Sequence, residues 1–104
     1  PGTPSTKLWA VLDGSGVLIR GSGVTSVGHP GTGRETLVFN QNVSACVFLA
    51  SPGASVVTDG SGSYPSPGEA SVGPLTGNPN GIVVTRADEA GTVQNLPVYV
   101  AVFC

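Results

Sequence analysis

Methionine is absent from the 104 residues, tryptophan and histidine occur once each, cysteine twice, and charged side chains make up only 10% of the chain. Four Lys and Arg against six Asp and Glu leave a net charge of −2 with no basic cluster, so nothing in the chain neutralises a run of phosphates and a nucleic-acid partner is not expected. No apolar run approaches the ~20 residues of a membrane-spanning helix, so membrane insertion is not expected either. A lone histidine with two cysteines far apart cannot supply the two ligand pairs of a zinc site. The polar, highly charged composition of a disordered chain is also missing. One folded domain, without a metal or other cofactor, is what these absences leave.

Sixteen Gly and nine Pro fill about a quarter of the positions, about twice the usual share, and exclude long helices because each interior Pro costs ~3 kcal/mol. Valine is the commonest apolar residue, and its stiff β-branched side chain suits a pleated surface. Short apolar runs alternate with Gly, Ser, Pro, Asn and Asp clusters at fairly even spacing. That pattern predicts an all-β chain, a compact antiparallel β-sandwich or jelly roll of about eight short strands without significant helix.

Residues 1–6 (PGTPST) carry no periodicity and read as a flexible leader or the end of a stalk or linker, leaving 7–104 as a single all-β domain. Lys7 to Leu12 and Val17 to Arg20 form a hairpin across Asp13-Gly14-Ser15-Gly16. Val24 to Val27 and Arg34 to Phe39 form a second, with His29-Pro30-Gly31-Thr32-Gly33 as its turn. Further strands are expected at Val43 to Ala50, Ser55 to Thr58, Ala70 to Val72, Ile82 to Arg86 and Pro97 to Cys104. Asp59 to Gly68 and Pro74 to Gly81 are the long loops, rich in turn formers and the natural place for recognition. Asp59, Tyr64, Asn78 and Asn80 are the candidate contacts there, to a cell-surface glycan or receptor, with Tyr64 suited to stacking on a sugar ring.

Several strands are apolar at both parities. In the last, Val98, Val100, Val102 and Cys104 share one face and Tyr99, Ala101 and Phe103 the other; Ala45 to Ala50 and Leu8 to Leu12 behave alike. A helix-free domain cannot cover both faces of such strands with its own layers. The second faces therefore point to a symmetric oligomer, or else to a tightly rolled sandwich whose bent strands bury different faces along their length. Trp9, Val11, Val98, Val100 and Val102 are the candidates for core or interface.

Cys46 and Cys104 lie in two of these strands. Either they pair, a bridge that would stabilise by ~4 kcal/mol in the loop-entropy model and favour an exported protein, or they are two buried thiols. His29 in His-Pro-Gly reads as a solvated turn histidine rather than a catalytic base: no nucleophile elbow is present, and hairpin turns do not build an oxyanion cleft. Glu35 and Glu69 lie singly near strand starts and form no carboxylate pair. Gly21-Ser22-Gly23 precedes no helix signal and is no phosphate cradle. No catalytic residue is expected.

The order Trp9-Ala10-Val11, Arg20-Gly21-Ser22-Gly23-Val24, Gly31-Thr32-Gly33, Phe39-Asn40, Val43-Ser44-Ala45-Cys46, Asn78-Pro79-Asn80-Gly81 and Val100-Ala101-Val102-Phe103-Cys104 resembles a family of small all-β domains in exported bacterial proteins, particularly actinobacterial ones. Its setting is similar to the C-terminal heads of collagen-like and phage-tail-fibre proteins. The resemblance spans Trp9 to Cys104. It implies that Cys46 and Cys104 are the family's bridge and that the domain is a non-enzymatic trimerisation head, C1q- or tumour-necrosis-factor-like in manner, in an extracellular, cell-surface or virion setting.

Overall fold

The computed structural model describes residues 8–53 and 68–104. Eight strands follow in chain order: β1 (Leu8–Leu12), β2 (Leu18–Ser22), β3 (Val24–Gly31), β4 (Arg34–Phe39), β5 (Val47–Pro52), β6 (Gly68–Pro74), β7 (Gly81–Asp88) and β8 (Val98–Phe103). They form two four-stranded antiparallel sheets, ordered β2-β1-β8-β5 and β3-β4-β7-β6, and the described residues contain no helix. The all-β sandwich read from composition and turn spacing is the observed architecture.

Alternation builds the core. Leu8, Ala10 and Leu12 of β1 and Val98, Val100 and Val102 of β8 point into the sandwich from the first sheet, against Leu37 and Phe39 of β4 and Ile82 and Val84 of β7 from the second. Each is at most 5% exposed, so each Leu, Val, Ile or Phe side chain among them contributes on the order of 1.5–3 kcal/mol of transfer free energy. Strand-forming residues on one parity and an apolar partner layer are what hold these elements, since no single hairpin is stable in water. The chain changes sheets between β2 and β3 at Gly23, whose φ of +77° admits the sharp corner and whose missing side chain leaves room for Leu8.

Two segments differ from the sequence expectation. His29 and Pro30, read as a turn, continue β3 to Gly31. The strand tolerates Pro30 because β3 is an edge strand and the register slips between Gly28 and Gly31, so no ladder bond needs the missing amide hydrogen. The fifth strand begins at Val47, four residues later than its apolar run. The Asn42 side chain accepts from the Ser44 amide at 2.8 Å and its hydroxyl at 2.7 Å, the Cys46 amide donates to Val43 O at 3.0 Å, and these bonds curl the backbone into a turn. Val43 is nonetheless fully buried, which explains why its run looked like strand. The strand expected at 55–58 and most of the loop expected at 59–68 lie outside the described residues, as do residues 1–6 and Lys7.

Register also sorts the loops by end. Leu8 lies beside Val102, and Phe39 beside Val24, so residues 40–46, the 75–80 loop and Cys104 gather at the end where the backbone enters β1. The 13–17 and 32–33 turns, Gly53, Gly68 and residues 89–97 stand at the other end.

Candidate functional site

The outward surfaces of the two sheets have different chemistry. On the second sheet the outward positions of β4, β6 and β7 include Arg34, Thr36, Glu69, Ser71 and Thr85 around the half-buried Val38 and Val83, the mostly polar exterior expected of an antiparallel sheet facing water. On the first sheet pairing aligns Val47 with Phe103; Leu49 with Ala101, Trp9 and Ser22; and Ser51 with Tyr99, Val11 and Arg20. Side chains along such rows are neighbours across strands, so they form one surface. Trp9 is 39% exposed, Tyr99 41%, Phe103 51%, Leu49 54% and Val47 61%. Among the described residues Arg20 is the only ionisable cation on it, at its margin on edge strand β2.

A shallow groove of about 160 Å³ runs over the centre of this surface, lined by Leu49, Ser51, Tyr99 and Ala101 above the β5 and β8 backbone. Tyr99 forms one wall because Gly53, at the end of β5, has no side chain: any Cβ there would collide with the ring. The five exposed apolar residues leave roughly 500 Å² in water, within the ~300–600 Å² span of the largest patch on an ordinary monomer, a patch that is often functional.

The sequence candidates separate on the two sides of this sheet. Val98, Val100 and Val102 are core, at 0%, 2% and 0% exposure. Trp9 and Val11 face outward; Val11 keeps only 6% exposure between Tyr99 and Arg20 in its row, while Trp9 stands open. Cys46 and Cys104 lie at bonding distance and are joined, with Cα atoms 4.3 Å apart, tying the start of β5 to the end of β8. Asn78 and Asn80 meet their own loop: the Asn78 side chain accepts from the Asn80 amide at 3.0 Å, and the Asn80 side chain donates to Phe39 O at 3.5 Å. They stand at the end opposite Gly53 and Gly68, so the 75–80 loop and the anchors of the other candidate loop do not converge. Asp59 and Tyr64 lie outside the described residues.

A charged cluster that the sequence reading missed sits at the far end of the sandwich. Glu35 and Arg86 are 0% and 1% exposed, face inward from β4 and β7, and form an ion pair. The other Glu35 oxygen meets Nδ1 of His29, whose side chain remains 34% exposed on β3. Arg86 Nη1 also donates to the carbonyls of Asp13, at 3.2 Å, and Leu96. Burial lowers the guanidinium pKa, partly offset by the charges of Glu35 and Asp13 and by the hydrogen bond the guanidinium donates to Glu35. Glu35 is therefore paired with charges of opposite sign rather than with a second carboxylate, and His29, exposed as expected, stands on a strand and not in a turn. Its partner is a glutamate: Asp13 and Asp88 spend their Oδ1 atoms on the amides of Ser15 and Val17 and of Ala90 and Thr92. One signal was available, because Glu35-x-Leu37-x-Phe39 and Ile82-x-Val84-x-Arg86 each place one charge on the apolar parity of a strand.

Among the described residues no group of three or more His, Cys, Asp or Glu side chains is placed to hold a metal ion. The site that fold and surface define is thus an apolar outer sheet face on an antiparallel β-sandwich. No family model, no curated protein and no solved structure matches the chain.

Proposed function

We propose that this domain is a non-enzymatic assembly module that self-associates, as a trimer, through the outer face of its first sheet. It serves as a head in an exported fibrous protein of the collagen-like or tail-fibre-like kind. The observation that carries the reading is the contrast between the two outer sheet surfaces: β4, β6 and β7 expose no large apolar side chain on theirs, whereas the other presents Trp9, Val47, Leu49, Tyr99 and Phe103 to water. A second copy of the chain suits this face because it is nearly free of charge, so like copies meet without repulsion and apolar area supplies the driving force. The Cys46–Cys104 bridge joins β5 to β8, the two strands that carry most of the face, and fits an oxidising compartment.

Light scattering across a concentration series tests this. The expected outcome is a particle of about 31 kDa, three times the 10.3 kDa chain. Leu49→Asp should convert it to a folded monomer with the far-ultraviolet dichroism of the parent and an unfolding midpoint lowered only by the loss of assembly. Val100→Asp, which buries a carboxylate at a core position, should instead unfold the chain. A parent protein that is monomeric at every concentration would overturn the proposal.

A further inference from the structure

Of the five asparagines in the chain only Asn42 stands in an Asn-x-Ser/Thr triplet whose middle residue is not proline, as Asn42-Val43-Ser44. Such a triplet is an acceptor for an asparagine-linked glycan where it lies on the surface of an exported chain. The surface condition is met: Val43 is fully buried, and the residues on either side of it, Asn42 and Ser44, are exposed. They belong to the turn ahead of β5, outside any strand, so an enzyme reaches them without opening a ladder. Two residues beyond Ser44, Cys46 is bonded to Cys104, the bridge that fits an oxidising compartment.

The Asn42 carboxamide is engaged at one atom only. Its Oδ1 accepts from the Ser44 amide at 2.8 Å and from the Ser44 hydroxyl at 2.7 Å, whereas Nδ2 meets no acceptor among the described residues. The atom that would form a new bond is thus the free one. Both donors aim at the oxygen that gains negative charge as a proton leaves Nδ2, so they favour that ionisation. Room for a sugar lies alongside: Ser44 lines a groove of about 430 Å³ together with Leu75, Asn78 and Pro79. Val43 N donates to Pro79 O at 2.9 Å and holds the turn against this groove, and nothing lies within 4 Å of a Cβ built on Gly77 in its wall.

We infer that Asn42 is the attachment site of an asparagine-linked glycan whose first sugar lies over the groove beside Ser44. In the transfer a base of the transferase takes one Nδ2 proton, and Nδ2 bonds to the anomeric carbon of an oligosaccharide carried on a polyprenyl diphosphate. The bond from that carbon to the diphosphate oxygen breaks, and the oxygen keeps the electron pair. The inference rests on the export part of the reading above and not on assembly, because residues 40–46 stand at the end of the sandwich and not on the outer sheet face.

Mass spectrometry of the chain isolated from outside the cells of its own source tests this. The expected result is a peptide containing residue 42 that carries the mass of an oligosaccharide, with aspartate left at that position once the bond from sugar to amide nitrogen is hydrolysed. Asn42→Asp keeps the oxygen that accepts from Ser44 and removes Nδ2, so it should lose the glycan completely with far-ultraviolet dichroism unchanged. Ser44→Ala should lose the glycan as well, and Ser44→Thr should keep it. A bare Asn42 in an exported chain with bonded cysteines, a sugar on the Ser44 hydroxyl in its place, or a Ser44→Ala chain as fully glycosylated as the parent overturns the inference and leaves the export reading standing. A chain found only inside the cell with free thiols overturns both.

Discussion

Arg86→Met removes the only arginine of the sandwich interior and leaves the Glu35 carboxylate sealed with His29 as its remaining partner. Both members of the ion pair are essentially inaccessible to water, and stripping one charge from a buried pair costs about 3–5 kcal/mol because the other stays desolvated. The carbonyls of Asp13 and Leu96 lose a donor at the same time, each worth up to about 1–3 kcal/mol if no water replaces it. For a domain with a total stability on the order of 5–15 kcal/mol, this is a third or more of what holds it together. Glu35→Gln should cost a similar 3–5 kcal/mol, since the guanidinium then keeps only its carbonyl acceptors. In the double variant no buried charge remains, and its cost should fall at least about 2 kcal/mol short of the two single costs together. Equilibrium unfolding in urea, followed by far-ultraviolet dichroism with a constant m-value, measures all four corners of this cycle. Single costs under about 1 kcal/mol, or strict additivity, would refute the argument, because either would mean that water reaches the pair.

Two glycines with nearly equal φ should respond unequally to alanine. Gly77 has φ +84° with open space around a Cβ, so Gly77→Ala should cost only the left-handed strain of about 1–2 kcal/mol, whereas Gly16, at φ +82°, would also drive its methyl into the Glu35 carboxylate and should cost clearly more in the same unfolding assay. Equal costs would show that the 13–17 turn does not close over the charged cluster. Reduction of Cys46–Cys104, which spans a sequence separation of 58, should lower stability by ~4 kcal/mol in the loop-entropy model, read as a shift in denaturation midpoint with and without reductant. No shift would mean that the start of β5 and the end of β8 are held equally well without the bond.

Composition and punctuation were enough to establish the kind of fold, for local physical reasons. Gly and Pro cannot sit in helix interiors, valine fits a pleat, and Asp13-Gly14-Ser15-Gly16 between two apolar runs makes a hairpin whatever lies elsewhere. The apolar double parity of β8 likewise showed that both faces of one strand are apolar, though not which face is turned inward. That choice belongs to the partner layer: Val98, Val100 and Val102 are core because Leu37, Ile82 and Val84 arrive opposite them, and Tyr99 and Phe103 are left outside by the same packing. His29, Glu35 and Arg86 are spread over 58 positions of the chain, and only the side-by-side pairing of β3, β4 and β7 in one sheet makes them a cluster. A one-dimensional pattern records the period and chemistry of each strand; which strands become neighbours, and so which face stays open, depends on long-range pairing that no local run contains.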